Sequence, residues 1–241
     1  MKWEPDDFKL EKSSVWSFPE RGNWATHDAN YRGNCSPYVV RNLLLRYSKE
    51  GDWILDQFVG GGTSLVEAKL LGRNAIGTDV NQKALDRCKE KIAFAYGDVK
   101  VELRKADARN LDFVKNGSID FICTHPPYAD IIRYTDGIDG DMSLLDYNNF
   151  LDAMAQVAEE AFRVLKSGKY CAFVMGDIRQ KGFVRALGFD TMKVFEKADF
   201  KLKEIIIKQQ YNCRMTEKWE KISIEKNFFL LSHEYVFILK K

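Results

Sequence analysis

The stretch WILDQFVGGGTSLVEAKLLGRNAIGTD, residues 53–79, decides the fold. Its apolar run from Ile54 to Phe58 reads as a buried strand, and the glycines at 60, 61 and 62 break it. A helical pattern then runs from Thr63 and closes at Gly72, and NAIGTD follows as a second strand. Strand, glycine turn, helix and strand in succession form the crossover unit of a parallel sheet. The glycines let the backbone turn sharply and approach a ligand without side chains in the way, and the free amides of the helix start favour a polar or anionic group. The spacing is neither Gly-x-Gly-x-x-Gly nor Gly-x-x-x-x-Gly-Lys-Ser/Thr, which disfavours a nicotinamide or nucleoside triphosphate site.

The same alternation extends in both directions. Upstream, SPYVVRNLLLRYS (36–48) has Ser36 as an N-cap and Pro37 in the first turn of a helix. Downstream, NQKALDRCKEKIAFAYG is a second amphipathic helix, VKVELRKAD a third strand and SIDFICT a fourth. DYNNFLDAMAQVAEEAFRVLKSG is a long helix ending on Gly168, KYCAFVMGD a fifth strand and VRALGFDTMKVFEKAD another helix. FKLKEIIIKQQ and HEYVFILKK close the chain as two strands with no evident helix between them, as expected of an antiparallel C-terminal edge. The expected fold is α/β, a Rossmann-like doubly wound and mostly parallel sheet.

With 241 residues and 45% hydrophobic content the chain is expected to form a single domain over 1–241. Its first thirty residues, with Trp3, Trp16 and Trp24 among the breakers Pro5, Pro19 and Gly22, read as an irregular arm rather than a disordered tail. The five cysteines, at 35, 88, 123, 171 and 213, are odd in number and contain no Cys-x-x-Cys pair, so neither a disulfide framework nor a metal site is expected. No run has the length of a membrane span and no leader opens the sequence, so the expected location is cytoplasmic, without a membrane partner. Balanced charge, 37 basic against 35 acidic residues, neither demands nor excludes nucleic acid, because a local basic face suffices to track phosphates.

Two further strand ends carry polar chemistry. Asp79 ends the second strand, about twenty residues after the glycine turn, where a carboxylate accepts from ribose hydroxyls. Asp107 follows the third strand in KADARN and can face an adenine ring. Either aspartate alone is also explained as a helix cap; together with the glycine turn they describe a nucleoside-binding edge. The fourth strand runs into DFICTHPPYADIIRY (120–134), where Pro126 and Pro127 must end the element because proline cannot donate to a ladder. The prolines hold His125 and Tyr128 rigidly at the edge where open α/β sheets present their chemistry.

At this point the residues resemble a known family. LDQFVGGGTSLVEAKLLGRNAIGTDVN is similar to the S-adenosylmethionine segment of the amino-methylating DNA methyltransferases, usually Asp-Pro-Phe-x-Gly-Ser-Gly-Thr-Thr, and THPPY resembles their catalytic Asp/Asn/Ser-Pro-Pro-Tyr/Trp. NYRGNCSPYVVRNLLLRYS resembles the segment that covers the cofactor's methionine end, and AEEAFRVLKSGKY and SHEYVFILKK resemble later segments. The resemblance implies a class I methyltransferase-like fold and S-adenosyl-L-methionine as cofactor. It implies that Asp56, Phe58, Gly60 and Gly62 surround the methionine, with Thr63 and Ser64 at the helix start. Asp79 would bind the ribose and Asp107 the adenine side, while the segment from Tyr31 through Ser36 to Pro37 would help close the pocket. His125, Pro126, Pro127 and Tyr128 would be catalytic, holding a base flipped out of DNA.

The chemistry accounts for the double proline. An exocyclic amine is a poor nucleophile because its lone pair is drawn into the ring, and two fixed acceptors for its hydrogens restore electron density and aim that pair. The Pro126 carbonyl and the side chain of residue 125 are the natural acceptors, held without reorganisation. Departures from the pattern are His125 for Asp, Asn or Ser, Gln57 for Pro and Gly61 for Ser. A neutral imidazole accepts the same hydrogen bond and takes up a proton near neutral pH. The non-acidic residue 125 and the preceding Thr124 resemble the cytosine-N4 branch of the family more than the adenine-N6 branch, and this resemblance implies cytosine N4 over adenine N6. Target reading is expected from ADIIRYTDGIDGDMS and from KQQYNCRMTEKWEKISIEKN, which interleaves basic residues with Tyr211 and Trp219. With no separate target-recognition domain, either the recognised site is short or a second copy or a specificity subunit assists. The competing readings are an RNA amino-methyltransferase and a non-catalytic nucleic-acid-binding subunit of the same fold, with a nicotinamide oxidoreductase third.

Overall fold

The computed structural model describes residues 2–211 and 216–241. Its strands are β1 (Val15–Trp16), β2 (Trp53–Asp56), β3 (Asn74–Asp79), β4 (Val101–Lys105), β5 (Ile119–Thr124), β6 (Leu165–Met175), β7 (Ile178–Gln180), β8 (Phe183–Arg185), β9 (Lys201–Gln209) and β10 (His233–Lys240). The helices are α1 (Pro37–Tyr47), α2 (Thr63–Leu70), α3 (Gln82–Lys91), α4 (Tyr147–Val164), α5 (Leu187–Lys197) and α6 (Thr216–Glu225). Eight strands form one sheet in the order β1-β9-β10-β6-β5-β2-β3-β4, and β7 and β8 make a separate hairpin. After the edge strand β1 the chain enters the middle at β2, winds outward through β3 and β4, then returns to β5 and winds the other way. That reversal places a crevice beyond the carboxyl ends of β2 and β5.

Alternation along the central strands divides the core into two layers. Leu55, Ile122 and Phe173 pack on one face with Phe150, Met154 and Val157 of α4 and Phe195 of α5. Ile54, Phe121 and Val174 face the other way, against Val39, Leu43 and Leu44 of α1 and Leu65 of α2. All six residues of β5 are buried, as a strand covered on both faces requires. α4 buries Phe150, Ala153, Met154, Val157, Ala158 and Ala161, spacings of three and four that put one stripe on the sheet. Its start is capped by Asp146, whose carboxylate accepts from the amides of Asn148 and Asn149.

Four expectations change. The antiparallel C-terminal strand is present, but β10 enters between β6 and β9, so it is interior and the edge falls to β9 and the two-residue β1. α4 stops at Val164 rather than Gly168, because Leu165 already pairs with Ile119 of β5; a register shift between Ile119 and Phe121 takes up the extra residues. The segment before α5 is the β7–β8 hairpin rather than helix, turned at Lys181 and Gly182, both at positive φ. Between β9 and β10 lies α6, where irregular chain was expected; its side chains from Glu217 to Lys221 are all exposed, so no apolar stripe marks it in the sequence. Residues 212–215 of that stretch, Cys213 among them, lie outside the described residues.

The N-terminal arm is tied to the sheet through one buried carboxylate. Glu67, fully buried on α2, accepts from Trp24 Nε1 at 2.7 Å and Arg41 at 3.0 Å and pairs with His27 Nε2 at 2.8 Å. Arg41 also reaches Glu4 at the start of the arm. Removing one partner of a buried, hydrogen-bonded charge typically costs about 3–5 kcal/mol. Glu67→Ala is therefore expected to lower the unfolding free energy by about that amount in urea titrations. Glu67→Gln, which keeps part of the hydrogen bonding, should cost about 1–2 kcal/mol.

Candidate active site

The carboxyl ends of β2, β3, β4, β5 and β6 open into a cleft with about 940 Å³ of empty space, its solvent-filled mouth included. Its floor is the turn from Asp56 to Gly61 with Thr63 and Ser64, its sides are Asp79, Ala106, Ala108, Thr124 and His125, and its cover is Tyr31, Asn34, Tyr134 and Asp141. Tyr31 of the arm stacks on Tyr134 at 6.1 Å between ring centres, so the arm and the loop after β5 close over the cavity together. Thr63 Oγ1 donates to Asn34 Oδ1 at 2.5 Å and fixes the arm to the start of α2.

Gly62 shows why the turn is built from glycine. It sits at φ +83°, and a Cβ there would lie 2.6 Å from Cys88 Sγ on α3. Asp56, at the end of β2, is buried and accepts from the Phe58 amide at 3.0 Å, from Thr124 Oγ1 at 2.8 Å and from Ser64 Oγ. It thereby joins the glycine turn, α2 and the last residue of β5. Burial pushes its carboxyl up to about 6, against the pull of the Ser64, Thr124 and Phe58 hydrogen bonds. Asp79 accepts from the amides of Gly60 and Asn81; burial pushes its carboxyl up too.

Most of the residues singled out in the sequence come together here. Tyr31, Asp56, Phe58, Gly60, Thr63, Ser64, Asp79, His125 and Pro127 all line the cavity. Ser36 and Pro37 are buried behind it at the start of α1, where Ser36 Oγ donates to the Arg21 carbonyl instead of capping the helix. Asp107 stands beside the cavity, its carboxylate held by the Arg109 guanidinium, while its neighbours Ala106 and Ala108 form the wall. Pro126 is buried, and the Tyr128 ring lies outside the lining. Asn34 falls within the Tyr31–Pro37 segment expected to close the pocket, whereas Tyr134 and Asp141 belong to the stretch expected to read the target and instead line the cavity. Sequence reasoning missed Glu234, whose carboxylate accepts from Tyr128 at 2.8 Å. No hydrophobic period or glycine turn marks that position.

A sequence model of the DNA methylase family, the N6/N4 methyltransferases, matches residues 2–90 and 119–241. The chain belongs to this family. A tRNA (guanine(10)-N2)-dimethyltransferase of Methanothermobacter thermautotrophicus is 34% identical over 124 residues, 51% of this chain and 35% of that protein. The type II methyltransferase M2.DpnII of Streptococcus pneumoniae is 44% identical over 55 residues, 23% of this chain and 20% of its own length. The orphan methyltransferase M.BamHII of Bacillus amyloliquefaciens is 29% identical over 127 residues, covering 52% and 39%. The chain thus spans between a fifth and about two fifths of the length of these relatives. Among solved structures, a SAM-dependent methyltransferase of Methanosarcina mazei aligns with TM-score 0.58 and 18% identity over 83% of this chain and 96% of its own. TrmN of Thermus thermophilus aligns with TM-score 0.57 and 20% identity, covering 87% and 50%. The fold is that of the class I methyltransferases.

The cofactor of this methyltransferase is S-adenosylmethionine, and the cavity suits it. Three carboxylates, Asp56, Asp79 and Asp141, line a space that must take a ligand carrying an ammonium and a sulfonium. Gln57 Oε1 is buried in the same floor with no hydrogen-bond partner among the described residues, an acceptor left for a ligand donor.

The elevated Asp56 carboxyl predicts a pH dependence. The folded state favours its protonated form, so its contribution to stability is fully present below the ordinary aspartate value of 3.8 and is lost as pH rises through about 6. The linked change amounts to about 3 kcal/mol. Urea unfolding between pH 4 and 7.5 should show the wild type losing about that much relative to Asp56→Asn, which cannot titrate; parallel curves would contradict the assignment.

Proposed function

We propose that this methyltransferase moves the methyl group of S-adenosylmethionine to the exocyclic amine of a base flipped out of DNA, cytosine N4 in preference to adenine N6. One observation carries the reading: the Thr124–Tyr128 turn and the glycine turn meet at one cavity, joined by the Asp56–Thr124 hydrogen bond. Asp56, Phe58, Gly60 and Thr63 would then surround the methionine end, Asp79 would accept from the ribose, and Asp107 would act on the adenine side through its place beside Ala106 and Ala108.

S-adenosylmethionine supplies an electrophilic methyl group. The chain's residues do the rest. The Pro126 carbonyl and the His125 imidazole accept the two amino hydrogens and aim the nitrogen lone pair. The lone pair so aimed would meet the methyl group that the cofactor supplies, and the proton shed by the nitrogen would go to His125. Tyr128, whose ring stands beside His125 and outside the cavity lining, would present a face to a base entering from that side.

The carboxyl edge also bears a surface suited to nucleic acid. The β7–β8 hairpin meets the chain before β10 where Arg179 donates to the Phe229 carbonyl at 3.0 Å and lies 4.7 Å over the Phe228 ring. Phe183 and Phe229 are 77% and 91% exposed there, with Arg179, Lys181 and Lys226 alongside. Rings beside cations fit stacking and phosphate contact. A second reading, methylation of RNA, draws on the tRNA-modifying relative, which matches about half the chain. The balance of observation stays with DNA because the family model spans both ends of the chain.

Methyl transfer from labelled S-adenosylmethionine to unmethylated DNA and to tRNA, followed by nucleoside mass spectrometry, tests the reading. N4-methylcytosine from DNA is the expected product; a methylated nucleoside from tRNA alone would move the substrate to RNA. His125→Ala should lower kcat by about 10²–10⁴-fold, as loss of a general base does, with cofactor affinity within a few-fold.

The acid limb of the rate should fall below the ordinary histidine value of 6.5. Burial pulls His125 down, the Glu234 carboxylate opposes it, and the Lys208 and Arg21 cations add to it. Protonation removes the acceptor, so kcat should decline only as pH drops through that lowered value.

A further inference from the structure

The His125 imidazole is the end of a chain of hydrogen bonds that begins outside the sequence motif. Lys208 Nζ on β9 donates to Glu234 Oε2 on β10 at 2.9 Å. Glu234 Oε1 accepts from the Tyr128 hydroxyl at 2.8 Å, and Tyr128 Oη lies 2.9 Å from His125 Nε2. The Tyr128 ring also packs closely against Gly176, just after β6: a Cβ there would lie 3.0 Å from its Cε2 atom, a tight contact.

Proton counting along this chain has one solution. Glu234 is ionised beside Lys208, so it only accepts. The Tyr128 hydroxyl has a single hydrogen, and that hydrogen is committed to Glu234. The contact between Tyr128 Oη and His125 Nε2 therefore needs its hydrogen from the imidazole. With Nε2 protonated, the neutral ring carries its lone pair on Nδ1, which has no hydrogen-bond partner among the described residues while the ring lines the cavity.

We propose that Glu234 and Lys208 are positioning residues that act through Tyr128 to lock His125 in the Nε2–H tautomer, so that Nδ1 is the acceptor presented to the substrate amine. This rests on the reading of the site given above and adds to it which nitrogen acts and what fixes it. When Nδ1 takes the amine's proton, the imidazolium keeps its Nε2–H donated to Tyr128, and the Glu234 carboxylate two bonds away stabilises the charge. A serine, asparagine or aspartate at position 125 would have no tautomer to fix; histidine does, and Glu234 supplies what it needs.

The test reads the ring without turnover. Long-range ¹H–¹⁵N correlation spectra of the ¹⁵N-labelled full chain distinguish the two neutral tautomers, and His125 is identified among the three histidines by the signal lost in His125→Gln. At pH 7.5 the wild type should show Nε2 protonated and Nδ1 bare. In Glu234→Ala the freed Tyr128 hydrogen should turn to Nε2 and move the population to the Nδ1–H form; Glu234→Gln, which still accepts, should retain the wild-type tautomer. In the DNA assay Glu234→Ala should lose about 10–100-fold in kcat with cofactor affinity within twofold, and Glu234→Gln should recover most of it. An Nδ1–H wild type, or a Glu234→Ala tautomer identical to wild type, overturns the proposal; should Glu234→Ala fail to fold, the wild-type spectrum and Tyr128→Phe decide it. The expected tautomers without methyl transfer to any nucleic acid would sink the proposed function and leave the relay standing.

Discussion

The buried Asp56 carboxylate is the constraint on which the site depends. A carboxylate accepts and never donates when ionised, so its three donors must all point inward: the Phe58 amide, Ser64 Oγ and Thr124 Oγ1. Those donors come from the turn after β2, the first turn of α2 and the last residue of β5. The two loops that leave the sheet at the switch point are therefore fixed to one another as well as to the sheet. Burying the group is unfavourable, which is why its carboxyl is pushed up to about 6. That penalty is the physical counterpart of the positional order that two loops contributing to one reaction require.

Charge is segregated on a chain whose net value is only +2. The cavity collects carboxylates, Asp56, Asp79 and Asp141, whereas the hairpin and the segment before β10 collect Arg179, Lys181 and Lys226 around exposed rings. A cationic cofactor and the nucleic acid proposed as substrate would need opposite surroundings, which these two parts of the sheet edge offer. The N-terminal arm takes part in this division. Anchored at Glu67 through Trp24 and His27, it brings Tyr31 and Asn34 over the acidic side and leaves the basic side open.

What could be read in the sequence was what has local cause. β2, the glycine turn, α2 and β3 follow from apolar runs broken by Gly60–Gly62 and Gly72 and come in the expected order, although β2 ends at Asp56 rather than Phe58 and α2 at Leu70. The arm was legible from its tryptophans, two of which are 2% exposed. What was not legible depends on neighbours distant in sequence. α4 ends at Val164 because β5 claims Leu165, and β10 lies inside the sheet because β6 and β9 each offer it a free edge. The β7–β8 hairpin hangs on a two-residue turn with only Gly182 to mark it. α6 has no buried stripe to read. Asp107 fits the strand-end pattern in sequence, yet its carboxylate is taken by Arg109, two residues on.

The turn after β5 shows the same boundary between local and distant cause. That Pro126-Pro127 fix a carbonyl follows from proline chemistry alone. That Tyr128 is held by Glu234 does not, since 106 residues separate them and β10 reaches the site only by entering between β6 and β9. If β10 lay at the sheet edge, Glu234 would stand at least one strand spacing, about 4.8 Å, farther away, beyond hydrogen-bond reach of the hydroxyl. The antiparallel strand's interior place is thus what brings the Glu234 carboxylate to the Tyr128 hydroxyl, and through it to the His125 ring on which the proposed tautomer depends.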